Sequence, residues 1–324
     1  RMMTPLRARA WFSLIGVIMR ACVTLASCSY RVSHPRPRRG VGSRRTSGRH
    51  ESRNPTRSVA SALHKSESEF DDGRTPPGTV YLVGAGPGGL DYLTVKALRI
   101  LRQCDAVVYD DLGSNCGDIL NQVKPSCELV FVGKRGGDLG SWRQGDVNEV
   151  LVKLSIAGKT TCRLKGGCPS VFSRVREEMA ALNEHNVPYE LVPGISSSSA
   201  APLSANVPLT DKNFGKHFVV TSAHDVSSLN FAAYTHIDTA VFLMAGKALP
   251  VIVTRLIREA KKETNTPCVV VKNGCTDRET VFYGTLATIA ETTAGQKLSP
   301  CVFVVGEVCA EAVGGYLSKG EAGG

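Results

Sequence analysis

Residues 79–94 read "TVYLVGAGPGGLDYLT". A strand-forming run, Val80 to Val83, enters a glycine-rich turn that leads toward a helix start. Strand, turn and helix in that order open an α/β protein, and the alternation continues outward from it. Further strands are predicted at Ala106 to Tyr109, Leu129 to Val132, Thr160 to Leu164 and Tyr189 to Val192. A second series follows at Phe218 to Thr221, Ala240 to Met244, Cys268 to Val271 and Val302 to Val305. Val147, Val150, Leu151 and Leu154 recur at helical spacing and predict a helix with one buried face. Asp146 with Glu149 predicts a capping box at its start. Leu249, Ile252, Val253, Leu256 and Ile257 form another such stripe. The spacing predicts two α/β domains side by side, residues 77–206 and 207–315, followed by a short tail at 316–324.

The net charge of +10 suggests nucleic acid until it is divided along the chain. Residues 1–64 hold 13 Arg, no Lys and a single acid, Glu51; the remainder holds 26 basic and 28 acidic residues. The folded part is therefore close to neutral, and a nucleic-acid partner is not expected. Residues 1–76 read as a targeting leader, Arg- and Ser-rich and nearly free of acid. The apolar run "WFSLIGVIM" ahead of Arg20 adds signal-peptide character, but Arg20 interrupts it well short of the ~20 apolar residues of a membrane span. An apolar segment followed by an Arg/Ser-rich one predicts import into a plastid, with mitochondrion or cytoplasm as alternatives. Nine of the 11 cysteines lie beyond the leader, with no C-x-x-C pair. That pattern predicts reduced thiols and no metal site.

Gly84, Gly86 and Gly89 fit G-x-G-x-x-G, and Asp110 lies 21 residues beyond Gly89 after "AVVY". Both features suit a dinucleotide site, so a flavin- or NAD(P)-dependent oxidoreductase is one reading. Four further strand exits are equally elaborate: "VGKRGG" (132–137), "RLKGGCPSVFSR" (163–174), "LVPGISSSSA" (191–200) and "VKNGC" (271–275). Glycine turns at successive strand ends imply backbone approaching a ligand at several places.

Taken in order, "VYLVGAGPG", "VVYD", "VGKR", "RLKGG", "VPGISS" and "PLT" resemble the tetrapyrrole methylase family over about residues 78–310. The resemblance implies a two-domain α/β fold of the class III S-adenosylmethionine methyltransferase type, homodimeric, with the methyl donor in the cleft between domains. The implied reaction places methyl groups from S-adenosylmethionine on ring carbons of uroporphyrinogen III, giving precorrin-2, the branch point toward sirohaem and cobalamin. A divergent member acting on another polyanion, and a binding protein that has lost turnover, are the alternatives within the fold.

By motif, Asp110 resembles the family's proton acceptor and Lys134 its proton donor. Arg135, Arg163, Lys165 and Arg174 are the implied cations for a substrate with eight carboxylates, since Arg pairs carboxylates in bidentate fashion. For the donor, the resemblance implies Pro87, Gly166, Gly167, Cys168, Val171, Ser196, Ser197, Met244 and Gly274. Small residues dominate because contacts through backbone groups require close approach. Two acids common in the family are absent: Gly89 stands in the first loop where Asp is usual, and Cys168 after "RLKGG". Likewise "SVFSR" (170–174) replaces the family's F-I-F-G-R.

Overall fold

The computed structural model describes residues 76–111, 116–133 and 142–314. The leader up to residue 75, Lys134, Arg135 and the tail from residue 315 lie outside the described residues.

Ten strands form two five-stranded sheets. The first contains β1 (Val80–Gly84), β2 (Ala106–Tyr109), β3 (Glu128–Phe131), β4 (Thr161–Lys165) and β5 (Tyr189–Val192). Its helices are α1 (Val95–Gln103), α2 (Cys116–Leu120), α3 (Gln144–Ile156), α4 (Val175–Glu184) and α5 (Ser197–Ser204). All its pairings are parallel, in the order β3-β2-β4-β1-β5. Parallel sheets are covered on both faces, which is why β1 and β2 are apolar almost throughout, whereas β4, equally buried, carries Arg163 and Lys165, and β3 and β5 at the edges are partly exposed. Val83, Val107, Cys162 and Leu164 pack with Ala97, Ile100 and Leu101 of α1. On the opposite face Leu82 and Val108 meet Val147 and Leu151 of α3 and Leu182 of α4.

The second sheet contains β6 (Phe218–Ser222), β7 (Thr239–Leu243), β8 (Pro267–Lys272), β9 (Thr280–Thr285) and β10 (Cys301–Val305), with α6 (Leu249–Arg258) and α7 (Ile289–Thr292). Its order is β6-β7-β10-β8-β9, and only β6 with β7 is parallel. Phe231, Phe242 and Phe303 fill one side of it against Ile252 and Leu256 of α6. The other side takes Ala201 of α5 together with Ala205 and Val207, so the chain leaving the first sheet packs onto the second.

Two local expectations change. β9 was not anticipated: it is a half-buried edge strand carrying Gly284, and neither continuous apolar character nor strict alternation marks it. α3 starts at Gln144, which places Asp146 at its third position and not at the cap. There its carboxylate accepts the backbone N–H of Arg143 at 2.8 Å, satisfying a donor the helix start leaves free.

Candidate active site

Three loops leave the C-terminal ends of β1, β4 and β5 and meet backbone to backbone. Gly86 and Gly167 exchange backbone hydrogen bonds, with N···O separations of 3.2 and 2.9 Å. A Cβ on Gly84 would lie 2.5 Å from the Gly167 carbonyl oxygen, and one on Gly194 would lie 2.2 Å from the same atom. Real side chains do not approach backbone so closely, so glycine is required at both positions for the three loops to converge. Across from them, Gly274 in the loop after β8 packs on Ala201 of α5, and the Gly88 Cα faces the Cys275 carbonyl.

Between these loops is a cavity of about 640 Å³. The first half contributes Gly86, Pro87, Asp111, Gly166, Gly167 and Ser197; the second contributes Asn273, Gly274, Thr276, Arg278, Lys297 and the start of β10. Of the residues expected to hold the donor, Pro87, Gly166, Gly167, Ser197 and Gly274 line it directly. The other four, Ser196, Val171, Met244 and Cys168, do not line it. Ser196 caps α5, its hydroxyl accepting the Ser198 N–H at 3.2 Å. Val171 packs against the side of the second sheet that takes Ala201 and Val207. Met244 is half exposed after β7, at φ 59°. The Cys168 thiol lies 3.0 Å from the Ser170 hydroxyl. Burial pushes that thiol up, but hydrogen bonds from Ser170 and from the Gly194 backbone outweigh it and leave it below the ordinary cysteine range.

The missing acid in the first loop has a conformational counterpart. Gly89 sits at φ 138° and ψ −171°, a region essentially closed to residues with a Cβ. Glycine there fits a loop shaped for glycine, not an aspartate site left vacant.

Asp110 stands at the end of β2, its side chain 38% exposed. Arg163 of β4 holds it through Nη2, 2.9 and 2.8 Å from the two carboxylate oxygens. The same guanidinium donates Nε–H to Glu178 Oε1 at 3.0 Å, and Lys165 Nζ donates to that oxygen at 2.6 Å. Alternation explains the meeting. Arg163 and Lys165 are two apart in β4 and share the face covered by α4, from which Glu178 points inward, fully buried. Burial first, and the Arg163 charge second, draw the Lys165 ammonium below the ordinary lysine range, with Glu178 opposing.

This placement corrects the expectation for two of the four substrate cations. Arg163 and Lys165 are each 3% exposed, and their charges are engaged by carboxylates of the chain itself. Arg174 is exposed, at φ 60°, and is paired with Glu177 at 2.7 and 2.6 Å. Lys134 and Arg135 lie outside the described residues. Sequence reasoning missed the exposed Arg278 and Lys297, which face the cavity from the second half and belong to none of the recognised motifs. It also missed Glu178, although Val175, Met179 and Leu182 mark its helix face as the core face.

The topology removes the dinucleotide reading. In a Rossmann half, the first two strands are neighbours, so the acid after the second reaches a ribose held by the first loop. Here β4 lies between β1 and β2, and its Arg163 occupies the Asp110 carboxylate.

Comparison with known proteins agrees. A 40% identical relative, the uroporphyrinogen-III C-methyltransferase of Methanocaldococcus jannaschii, aligns over 242 residues, 71% of this chain and 96% of the relative. The enzyme of that name from Synechococcus elongatus is 37% identical, over 71% of this chain and 93% of its own. Among solved structures, uroporphyrin-III C-methyl transferase from Thermus thermophilus complexed with S-adenyl homocysteine superposes with a TM-score of 0.62 at 31% identity, covering 72% of this chain and all of that one. The family described as Tetrapyrrole (Corrin/Porphyrin) Methylases matches residues 79–290, so the two-sheet fold and its cleft of converging glycine loops are those of a tetrapyrrole methylase, the family to which this chain belongs.

Proposed function

We propose that this chain transfers methyl groups from S-adenosylmethionine to ring carbons of uroporphyrinogen III, forming precorrin-2. The observation that carries the reading is the glycine-lined cavity, in which the loops after β1 and β4 and the start of α5 face the loop after β8. Its lining suits the donor, because Gly166, Gly167 and Gly274 bring backbone polar groups to the cavity wall without side chains in between. Relatives at 37–40% identity that carry this activity in their names support it.

When bound, S-adenosylmethionine supplies an electrophilic methyl group on a sulfonium. The chain's own tasks are positioning, exclusion of water and proton transfer. Pro87 and the glycines hold the donor side. A pyrrole carbon that takes a methyl leaves positive charge on its ring, and loss of a proton relieves it. Asp110, held at the end of β2 by Arg163, is the acceptor of that proton. Lys134 is assigned as proton donor on the family resemblance.

Incubating the full chain with uroporphyrinogen III and methyl-labelled donor tests the proposal. Label in the tetrapyrrole and a precorrin-2 spectrum are expected; no transfer at saturating donor refutes it. Label transferred only to a different polyanionic tetrapyrrole would favour the divergent reading that Gly89 and Cys168 motivate. We further propose a homodimer, supported by the resemblance, and import into a plastid, supported by the Arg/Ser-rich leader. Light scattering of the purified chain and a fluorescent reporter fused behind residues 1–76 test these; a monomer mass or a cytoplasmic reporter refutes each. Among the described residues no helix is long and apolar enough to cross a membrane.

A further inference from the structure

We infer that Glu178 is a positioning residue for Asp110, acting through Arg163. A carboxylate at a strand exit, 38% exposed, has several rotamers open to it, and only some aim it at a given proton. Arg163 removes that freedom by taking both oxygens, so the orientation of Asp110 is set by whatever fixes the guanidinium. The guanidinium is held on its other edges. Nη1 donates to the Val108 and Leu164 carbonyls at 3.4 and 3.3 Å, and Nε donates to Glu178 at 3.0 Å. Of these, the Glu178 contact is the shortest and the only charged one. The two carbonyls leave the guanidinium free to tilt, whereas a buried carboxylate on Nε fixes the plane from which Nη2 reaches Asp110.

The charge arrangement fits this purpose better than it fits stability. Buried ion pairs gain little over well-packed apolar side chains of similar size, and the sheet face that carries Arg163 is packed with apolar Leu82, Val108, Leu151 and Leu182. Glu178 is fully buried, and its Oε2 has no hydrogen-bond partner among the described residues. Such a group is retained at a cost in stability where it performs a task. Lys165, donating to the same Oε1 at 2.6 Å, shares the Glu178 charge. Arg163 is thereby left only partly neutralised from within and retains attraction for the carboxylate at the cleft. The arrangement is a line of alternating charges, Lys165, Glu178, Arg163 and Asp110, with its outer end at the cleft.

The inference rests on Asp110 being the proton acceptor, and a double-mutant cycle on the full chain separates the two claims. The variants are Glu178→Gln, Asp110→Asn and both together, measured for kcat, for tetrapyrrole KM and, by calorimetry, for donor Kd. Glu178→Gln is expected to lower kcat by about tenfold to a hundredfold, the scale of a misaimed catalytic group, with KM and Kd within about twofold of wild type. In the Asp110→Asn background the same change should lower kcat by less than about twofold, because no acceptor remains to be aimed. Wild-type turnover in Asp110→Asn removes the acceptor assignment and this inference together. Equal losses from Glu178→Gln in both backgrounds, or no loss in either, overturn the positioning role and leave the acceptor standing. If Glu178→Gln does not fold, Glu178→Asp, which keeps the charge and shortens the reach, replaces it in the same cycle with the same expected pattern.

Discussion

Replacing Gly194 by alanine adds a single methyl group where the loops after β1, β4 and β5 converge, and its effect can be worked from the coordinates. Gly194 is not among the glycines held at positive φ, so alanine brings no backbone penalty of that kind. The difficulty is space. The new Cβ would lie 2.2 Å from the Gly167 carbonyl oxygen and 2.8 Å from Gly84, all of it backbone, whereas real Cβ contacts stay beyond about 3.0 Å. The "VPGISS" loop and the "RLKGG" loop must therefore separate by roughly 0.8 Å, the gap between those two figures. Overpacking of this size costs about 1–3 kcal/mol. For a folded body of this length that lowers Tm by about 2–12 °C, which leaves a folded protein at room temperature. Function is the more sensitive readout, because the displaced backbone lines the cavity on the donor side, and a misplacement of about 1 Å is worth roughly a hundredfold in rate. Turnover with methyl-labelled donor and a melting curve on the same sample measure both quantities, and calorimetric titration with S-adenosylmethionine reads the cradle itself. Gly145→Ala in α3 is the control, since a Cβ there meets no atom within 4 Å. Alanine in that helix should stabilise by about 0.5–1 kcal/mol and leave donor binding unchanged. If Gly194→Ala binds the donor within twofold of wild type, the converging loops do not form the donor cradle.

Three further outcomes are expected. Replacing Arg278 and Lys297 together by alanine should raise the tetrapyrrole KM by roughly two- to thirtyfold, two exposed charge pairs at about 0.2–1 kcal/mol each, without changing donor Kd. Added salt should reproduce part of the effect in the wild type, and a KM insensitive to both would exclude these cations from the substrate site. Cys168 should be alkylated by iodoacetamide at lower pH than Cys275, whose thiol burial pushes up, with saturating donor slowing the reaction at Cys168; peptide mapping after timed quenches reads the order, and Cys275 reacting first contradicts it. Lys124→Ala should destabilise the chain more at neutral pH than in acid. The Lys124 hydrogen bond is the main cause holding the Asp105 carboxyl below its ordinary range, so its contribution is present above the unfolded carboxylate value and is lost as pH falls through the folded one. Denaturant titrations at pH 7 and pH 3 measure this, and an equal loss at both would place the stabilisation elsewhere.

Sequence alone was a good guide wherever a physical rule acts locally. β1 and β2 of the first sheet are short apolar runs, and burial on both faces of a parallel sheet makes them so. The glycine loops were legible as close approaches because no other residue permits them. The order of the strands was not legible, since inserting β4 between β1 and β2 depends on how separate crossovers pack, and that single exchange distinguishes this cleft from a dinucleotide site. In the second sheet β7, β8 and β10 were legible as strands, and β9 alone among those described escaped, being an edge strand half open to solvent.

The cations show where motif reasoning fails and where pattern would have succeeded. A motif names Arg163 and Lys165 without saying which partner each meets, and a polyanionic substrate makes any cation a candidate ligand. Their spacing holds the missing information. Cys162 and Leu164 face one core, so Arg163 and Lys165 must face the other, and a strand buried on both sides offers cations no water. Charges so placed require an internal acid, and Glu178 is the one that stands on the core face of the facing helix. Cations bound to that acid are not free for the carboxylates of a tetrapyrrole. Among the described residues, the cations open to them are then Arg278 and Lys297 at the cavity, and Arg174 if it exchanges Glu177 for a substrate carboxylate. On the proposed reading the two halves of the fold divide the work: buried charges of the first aim Asp110, while the second presents exposed charge to the substrate.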